Sequence, residues 1–347
     1  MSDWPFTPPV EPMEARVREA FPDDDGWAFE PKWDGFRALA WGHADLDEVR
    51  LDSRNQRPLL RYFPELRGPL RAVPPGTVVD GEVIVPTDDR LDFDALSQRI
   101  HPAESRIAKL SVETPAQIVA FDLLALRGQD LRSHPYRDRR AALERLAPEL
   151  LGDPAWRLTP MTTEPALARR WFDEWESAGC DGTVAKRLDD PYAAGERRMV
   201  KVKQRHTVDV VVGGYRLHKD GDKIGALLLG LYDATGALHF VGHCASFSDA
   251  ERTAMLAEFA ALEAPGSFGE DARHPEQEHR WSGQRDTSWV PVAPVVVMEV
   301  SHDQVTNGRF RHASRFLRWR PDKEPGDCAL DQLGAPPGPG LSAVLGG

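Results

Sequence analysis

"FEPKWDGFRAL", residues 29–39, ends a strand-like run on Lys32, sets that lysine between two acids, Glu30 and Asp34, and follows it with Gly35 and Arg37. Strand side chains alternate between faces, so Glu30 and Lys32 share one face. A solvent-facing strand can carry such charges as ordinary solvated groups. A site in which lysine is the nucleophile needs them, because the amine must sit among other charges and lose its proton.

The lysines are informative because they are scarce: of 43 basic residues only eight are lysine. Arginine stays charged at any workable pH, whereas a buried lysine can shed its proton. Lysine also serves as a compact point charge on phosphate. Lys186 closes "DGTVAK" (181–186), Lys201 and Lys203 form "KVK" (201–203), and Lys323 closes "RPDK" (320–323). The two lysines of "KVK" project from one face of a strand.

The chain of 347 residues has room for two cores. With 41% hydrophobic and 28% charged residues it reads as an ordinary globular protein. No apolar run reaches the roughly 20 residues of a membrane span, and "MSDWPFTPPVEP" (1–12) lacks the blocks of a secretory signal. Three scattered cysteines, Cys180, Cys244 and Cys328, exclude a four-cysteine zinc module and point to a reducing cytoplasm. A net charge of −12 argues against a nucleic-acid binder as a whole. "RFRHASRFLRWR" (309–320) is nonetheless a local basic strip with Phe310, Phe316 and Trp319 interleaved, able to hold phosphates through counterion release.

Two textures divide the chain. Up to residue 204, strands and helices mix. "TVVDGEVIV" (77–85) alternates, with Asp80, Glu82 and Ile84 on one face. "QIVAFDLLAL" (117–126) reads as a strand whose Val119, Phe121 and Leu123 share a face. Leu143, Leu146 and Leu150 recur at helical spacing, as do Leu167, Trp171 and Trp175 before Gly179. From 205 to 328 short strands and glycine turns surround one helix near 248–262, the pattern of a small Greek-key barrel such as an OB-fold. The stretch 264–286 reads as an exposed loop, and the tail 329–347, rich in Gly and Pro, as disordered. The expected class is α+β: a domain of antiparallel sheets with flanking helices, then an OB-fold barrel.

Taken in order, these strings resemble the motifs of the covalent nucleotidyltransferase superfamily, most closely its ATP-dependent DNA ligases. "KWDG" resembles the nucleophile motif and "SRN" (53–55) the element after it; "DGE" (80–82), "FDLL" (121–124), "DGTVAK" and "KVK" resemble the inner motifs, and "RPDK" the last. The similarity covers about residues 25–325, and the short length is similar to the compact bacterial ligase C group.

The resemblance implies ATP and Mg²⁺ or Mn²⁺ as cofactors and a roster of roles. Lys32 would attack the α-phosphate of ATP, its pKa lowered by neighbouring cations and metal. Glu30 would accept from the adenine 6-amino group, Phe121 stack on the base, and Glu82 bind the ribose, with Asp80 structural. Arg37 and Arg54 would hold ribose and phosphates, and Lys186, Lys201 and Lys203 the α-phosphate. Asp181 stands where most ligases carry glutamate as a metal ligand, with Asp34 as the second acid near the metal. Arg320 and Lys323 would orient the pyrophosphate when the OB domain swings over the ATP.

The implied substrate is nicked double-stranded DNA, handled by a monomer without membrane attachment, with primase-polymerase-type repair proteins as partners. RNA ligases and capping guanylyltransferases share Lys-x-Asp-Gly, but Glu30 favours adenine, and "SRN", "FDLL" and "RPDK" fit DNA ligases better. A non-catalytic OB-type nucleic-acid binder would not need both the nucleophile and the "KVK" pair. "HPEQEH" (274–279) spaces its histidines five apart, unsuited to adjacent ligands on one helix face.

Overall fold

The computed structural model describes residues 4–269, 272–275, 288–334 and 337–346. The chain divides into two compact units, residues 1–204 with 335–347, and residues 205–334.

The first unit is built on two sheets. One has four strands in the order Glu14–Arg18, Arg197–Lys203, Gly182–Arg187, Trp27–Pro31, the first pair parallel and the rest antiparallel. The other runs Trp156–Leu158, Gln117–Leu126, Val78–Ile84, Phe36–Trp41, Arg50–Ser53, antiparallel apart from its first pair, with a sixth short strand, Gln129–Asp130, beside Gln117–Leu126. Each sheet buries one face under a helix. Helix Tyr136–Leu150 lays Leu143, Leu146 and Leu150 against Ile118, Ala120, Leu123 and Trp156. Helix Pro165–Glu174 packs Ala168 and Phe172 on Trp27, Phe29, Ala185 and Val200. Burial of each such leucine contributes about 1.5–3 kcal/mol, so these apolar faces hold the layers. The opposite face of the larger sheet is apolar at both ends, with Leu39, Trp41 and Val78 in one cluster and Ile84 and Val119 in another, and carries its charge between them.

The alternation of 77–85 survives, with Glu82 and Arg37 directly across from each other. That of 117–126 does not. The register slips between Asp80 and Gly81, leaving Phe121 without an opposite residue on Val78–Ile84. A bulge of this kind turns the residues beyond it over. Leu123 therefore joins the outer core with Ile118 and Ala120 instead of sharing the face of Val119. The helix before Gly179 also ends sooner, at Glu174, and a turn carries the chain on to Gly179 at φ +90°.

The tail reading is corrected. Leu341–Val344 form a short helix whose Leu341 and Val344 are buried among Trp33, Leu91, Trp175, Ala178 and Cys180. Asp89 accepts the Leu341 amide on its carbonyl (2.6 Å) and takes the Ser342 amide on its side chain (2.7 Å). Composition gave weight to Gly and Pro, while two apolar residues three apart suffice to seat the segment.

The second unit is the OB-fold. Its sheet runs Leu238–Cys244, Ile224–Tyr232, His206–Leu217, Val297–His302, Arg315–Trp319, all antiparallel, with the short strand Val290–Pro291 beside His206–Leu217. The inserted helix Asp249–Ala260 starts at a capping box made by Ser248 and Glu251. Most of the loop expected over 264–286, and most of "HPEQEH", lies outside the described residues. The basic strip reads differently in three dimensions. Phe316 and Trp319 pack on Phe247, at 5.2 and 6.4 Å between ring centroids, and Arg318 pairs with Glu299 at 2.5 Å. Its aromatic interleaving serves packing as much as it could serve phosphate.

Candidate active site

The charged faces of the two sheets in the first unit supply the site. On the four-stranded sheet, register puts Glu30, Val184 and Lys201 in one row, and Gly182 opposite Lys203 in the next. Lys32 follows its strand directly and is held by the backbone: its amide donates to the Gly182 carbonyl (2.8 Å), and its carbonyl accepts the Asp181 amide (2.8 Å). Only glycine serves at 182, where φ is +131° and a Cβ would come 2.1 Å from the Val202 carbonyl oxygen. The glycine of Lys-Trp-Asp-Gly is constrained likewise, since a Cβ on Gly35 would fall 2.4 Å from the Val83 carbonyl.

At this end of the face two ammonium groups converge on one carboxylate oxygen. Asp181 Oδ2 receives Lys32 Nζ at 2.5 Å and Lys203 Nζ at 3.2 Å, with Asp181 nearly buried. Asp181 pulls the Lys32 pKa against the lowering expected from neighbouring cations and metal. Burial pushes the amine down, while the charge and hydrogen bond of Asp181, with the charges of Asp34 and Glu82, push it up. Lys201 shifts the other way, lowered by burial and by the charges of Lys32 and Lys203. Asp34 acts through space on both Lys32 and Glu82. Glu82 is pushed up to about 8, first by burial and against the pull of Lys32 and Arg37.

Lys186 lies four residues along the strand from Gly182, about 13 Å at roughly 3.3 Å per residue, with the Glu30 row midway between them. Here Lys186 Nζ pairs with Glu30 Oε2 at 2.8 Å and donates to the Phe121 carbonyl at 3.0 Å. The bulge leaves that carbonyl aside from the regular ladder. Lys186 also lies 4.6 Å from the Phe121 ring centroid and 4.7 Å from that of Tyr136. Expected on the α-phosphate with Lys201 and Lys203, it is paired to Glu30. Glu30 Oε1 accepts the Tyr136 hydroxyl and lies 3.9 Å from Arg140 Nη1.

Arg37 and Arg54, expected on ribose and phosphates, each have a carboxylate partner. Asp80, fully buried, grips Arg37 through Nε (2.9 Å) and Nη2 (2.6 Å), and takes the Tyr192 hydroxyl at 2.7 Å. The Arg37 guanidinium still lies 5.1 Å from the Phe121 ring centroid. Arg54 is largely exposed and donates to Glu14 at 2.8 Å. In the OB unit Arg320 binds Asp209 (2.7 and 2.9 Å), and Lys323 Nζ lies 3.8 Å from the same carboxylate. Sequence reasoning missed Tyr136, Arg140, Tyr192 and Asp209. The four-residue spacing of Tyr136 and Arg140 on one helix was a usable signal; the partners of Tyr192 and Asp209 lie over a hundred positions away.

For a divalent cation, Asp34 and Asp181 offer hard oxygens but no complete cage. Among the described residues the one close set of three His, Cys, Asp or Glu ligands is His218, Asp220 and Asp222, in the turn before Ile224 of the OB unit. One or two carboxylates completed by substrate phosphates is the usual mode for Mg²⁺, and the residues fit it.

A lysine paired to a carboxylate, a buried Phe121 ring beside Lys186 and Arg37 and an OB-fold behind them in sequence are the parts a nucleotidyltransferase needs. The ATP dependent DNA ligase domain model matches residues 10–203, and the ATP dependent DNA ligase C terminal region model matches residues 220–323. The chain belongs to the ATP-dependent DNA ligase family and is of the compact bacterial kind. It is 47% identical to DNA ligase C1 of Mycolicibacterium smegmatis over 96% of each chain. It is 33% identical to the multifunctional non-homologous end joining protein LigD of Mycobacterium bovis, covering 88% of this chain and 37% of that one. A solved Lig E DNA ligase shares the fold, with a TM-score of 0.55 at 17% identity, covering 90% of this chain and all of that one. No described helix is long and apolar enough to cross a membrane.

Proposed function

We propose that this ligase seals nicks in duplex DNA, in repair, by forming lysyl-AMP at Lys32. One observation carries the assignment: Lys32, Asp181 and Lys203 meet at one end of a sheet face whose other end gathers Glu30, Lys186 and Phe121. ATP laid along this face puts its base on Phe121 and its α-phosphate near Lys32.

Lys32 Nζ then forms a bond to the α-phosphorus as the α–β phosphoanhydride bond breaks and pyrophosphate leaves. Asp181 is the carboxylate in contact with the ammonium and the group placed to hold its proton. Lys201 and Lys203 meet the charge that builds on the phosphorus oxygens. A Mg²⁺ or Mn²⁺ ion held by Asp181 and Asp34 would compete with the ammonium for the carboxylate and neutralise phosphate charge. Glu30 accepts from the adenine amino group, Glu82 meets the ribose, and Lys186 works at the base end.

Arg320 and Lys323, aligned by Asp209, serve the pyrophosphate when the OB unit closes on ATP. The substrate is nicked duplex DNA, bound by a monomer in the reducing cytoplasm alongside primase-polymerase-type repair proteins. The three free, buried cysteines suit that compartment. The test is intact mass after treatment with ATP and Mg²⁺. The wild-type chain gains one AMP and seals a singly nicked duplex, and Lys32→Ala does neither. Labelling elsewhere in Lys32→Ala would overturn the assignment.

A further inference from the structure

The buried end of the cleft contains more than a base platform. Glu30 and Lys186 are 3% and 2% exposed, and donors surround the Glu30 carboxylate. Lys186 takes Oε2, while Oε1 faces two residues from one side of helix Tyr136–Leu150. Tyr136 and Arg140 stand four apart and so project from the same face of that helix.

Tyr136 is 1% exposed and its hydroxyl is committed to Glu30. Burial and the Glu30 charge push the phenol well above its ordinary pKa, so it remains a donor. Arg140 is clamped at two corners, Nε on Glu144 at 2.8 Å and Nη2 on the Thr159 carbonyl at 2.9 Å. Its third corner, Nη1, is buried with no hydrogen-bond partner among the described residues and points at Glu30 Oε1 from 3.9 Å. A buried donor left unmade is costly, and such a group in a native fold calls for a function.

We propose that Tyr136 and Arg140 are positioning residues that set the nucleotide preference, fixing Glu30 as a pure acceptor and so favouring a purine with a 6-amino group over a 6-oxo one. This rests on the adenine-reading role proposed for Glu30 and adds what makes that role selective. A carboxylate discriminates donor from acceptor only when it cannot rotate away. Donors on both oxygens hold it in place. A 6-oxo purine then sets oxygen against oxygen, and a purine lacking a 6-substituent leaves the carboxylate short of one donor. Discrimination by a site built around a hydrogen bond is of this kind.

The test compares self-adenylylation kcat/KM for three triphosphates: ATP, purine riboside triphosphate (no 6-substituent) and inosine triphosphate (6-oxo). The chains are wild type, Tyr136→Phe, Arg140→Met and Arg140→Lys. Wild type prefers ATP over both others. Tyr136→Phe shrinks the ratio of ATP to purine riboside triphosphate about tenfold, the cost of one buried hydrogen bond to a charge, and Arg140→Met shrinks it by a smaller factor, through loss of the guanidinium charge 3.9 Å from Glu30. Arg140→Lys restores part of it. Equal losses on all three nucleotides, with ratios unchanged, mean a merely structural role and overturn the proposal. If wild type itself does not prefer ATP to purine riboside triphosphate, the role assigned to Glu30 fails first and this inference with it. If Tyr136→Phe does not fold, the two Arg140 variants decide alone.

Discussion

The two ends of the adenylation cleft are built from the same residue types to opposite purposes. At the inner end one carboxylate, Glu30, meets a hydroxyl, an ammonium and a guanidinium, and almost nothing is exposed. At the outer end one carboxylate, Asp181, must serve two ammonium groups while Lys201 stands beside them with a lowered pKa. Partner-rich charge is rigid and suits recognition. Crowded like charge is under stress that a polyphosphate relieves, and suits reaction. The comparison shows that charge count matters less than how many partners each charge has.

The contrast breaks first at Asp181. Asp181→Asn leaves Lys32 and Lys203 adjacent without their shared anion, and the rate of lysyl-AMP formation should fall about a hundredfold or more, seen mainly in kcat by rapid-quench adenylylation. Lys186→Met should act on the other parameter, raising KM for ATP about tenfold with kcat less affected, because a contact to the bound base acts on ground and transition state alike. If both variants changed the same parameter, the two ends would not divide the work.

Glu82 gives the finest test. Its pKa is raised to about 8, so its stabilising contribution is complete below its unfolded value near 4.5 and is lost as pH climbs through 8. Melting curves between pH 5 and 9 should therefore slope downward more steeply for wild type than for Glu82→Gln, which has no proton to lose. Parallel curves would show a carboxylate already ionised at neutral pH.

Much of this was legible in the sequence, and what was not has a common cause. Strand periodicity and short charged strings located Lys32, Glu30, Asp181 and the "KVK" pair. The Phe121 bulge was hidden because it depends on how a neighbouring strand pairs, so the alternation of 117–126 put Leu123 on the wrong face. The pairing of Lys186 with Glu30 was hidden because order along the chain does not reveal how its strand lies on Trp27–Pro31. The upward pull on Lys32 was hidden because Asp181 lies 149 residues away. The tail was misread because composition cannot see the surface that Leu341 and Val344 cover.

The return of the tail changes how the OB unit is joined to the chain. It is spliced in as an insertion, leaving the first unit after residue 204 and rejoining it from residue 335. A single protease nick at either junction would leave both bodies attached through the other, and anything fused after the last residue would hang from the unit that carries Lys32.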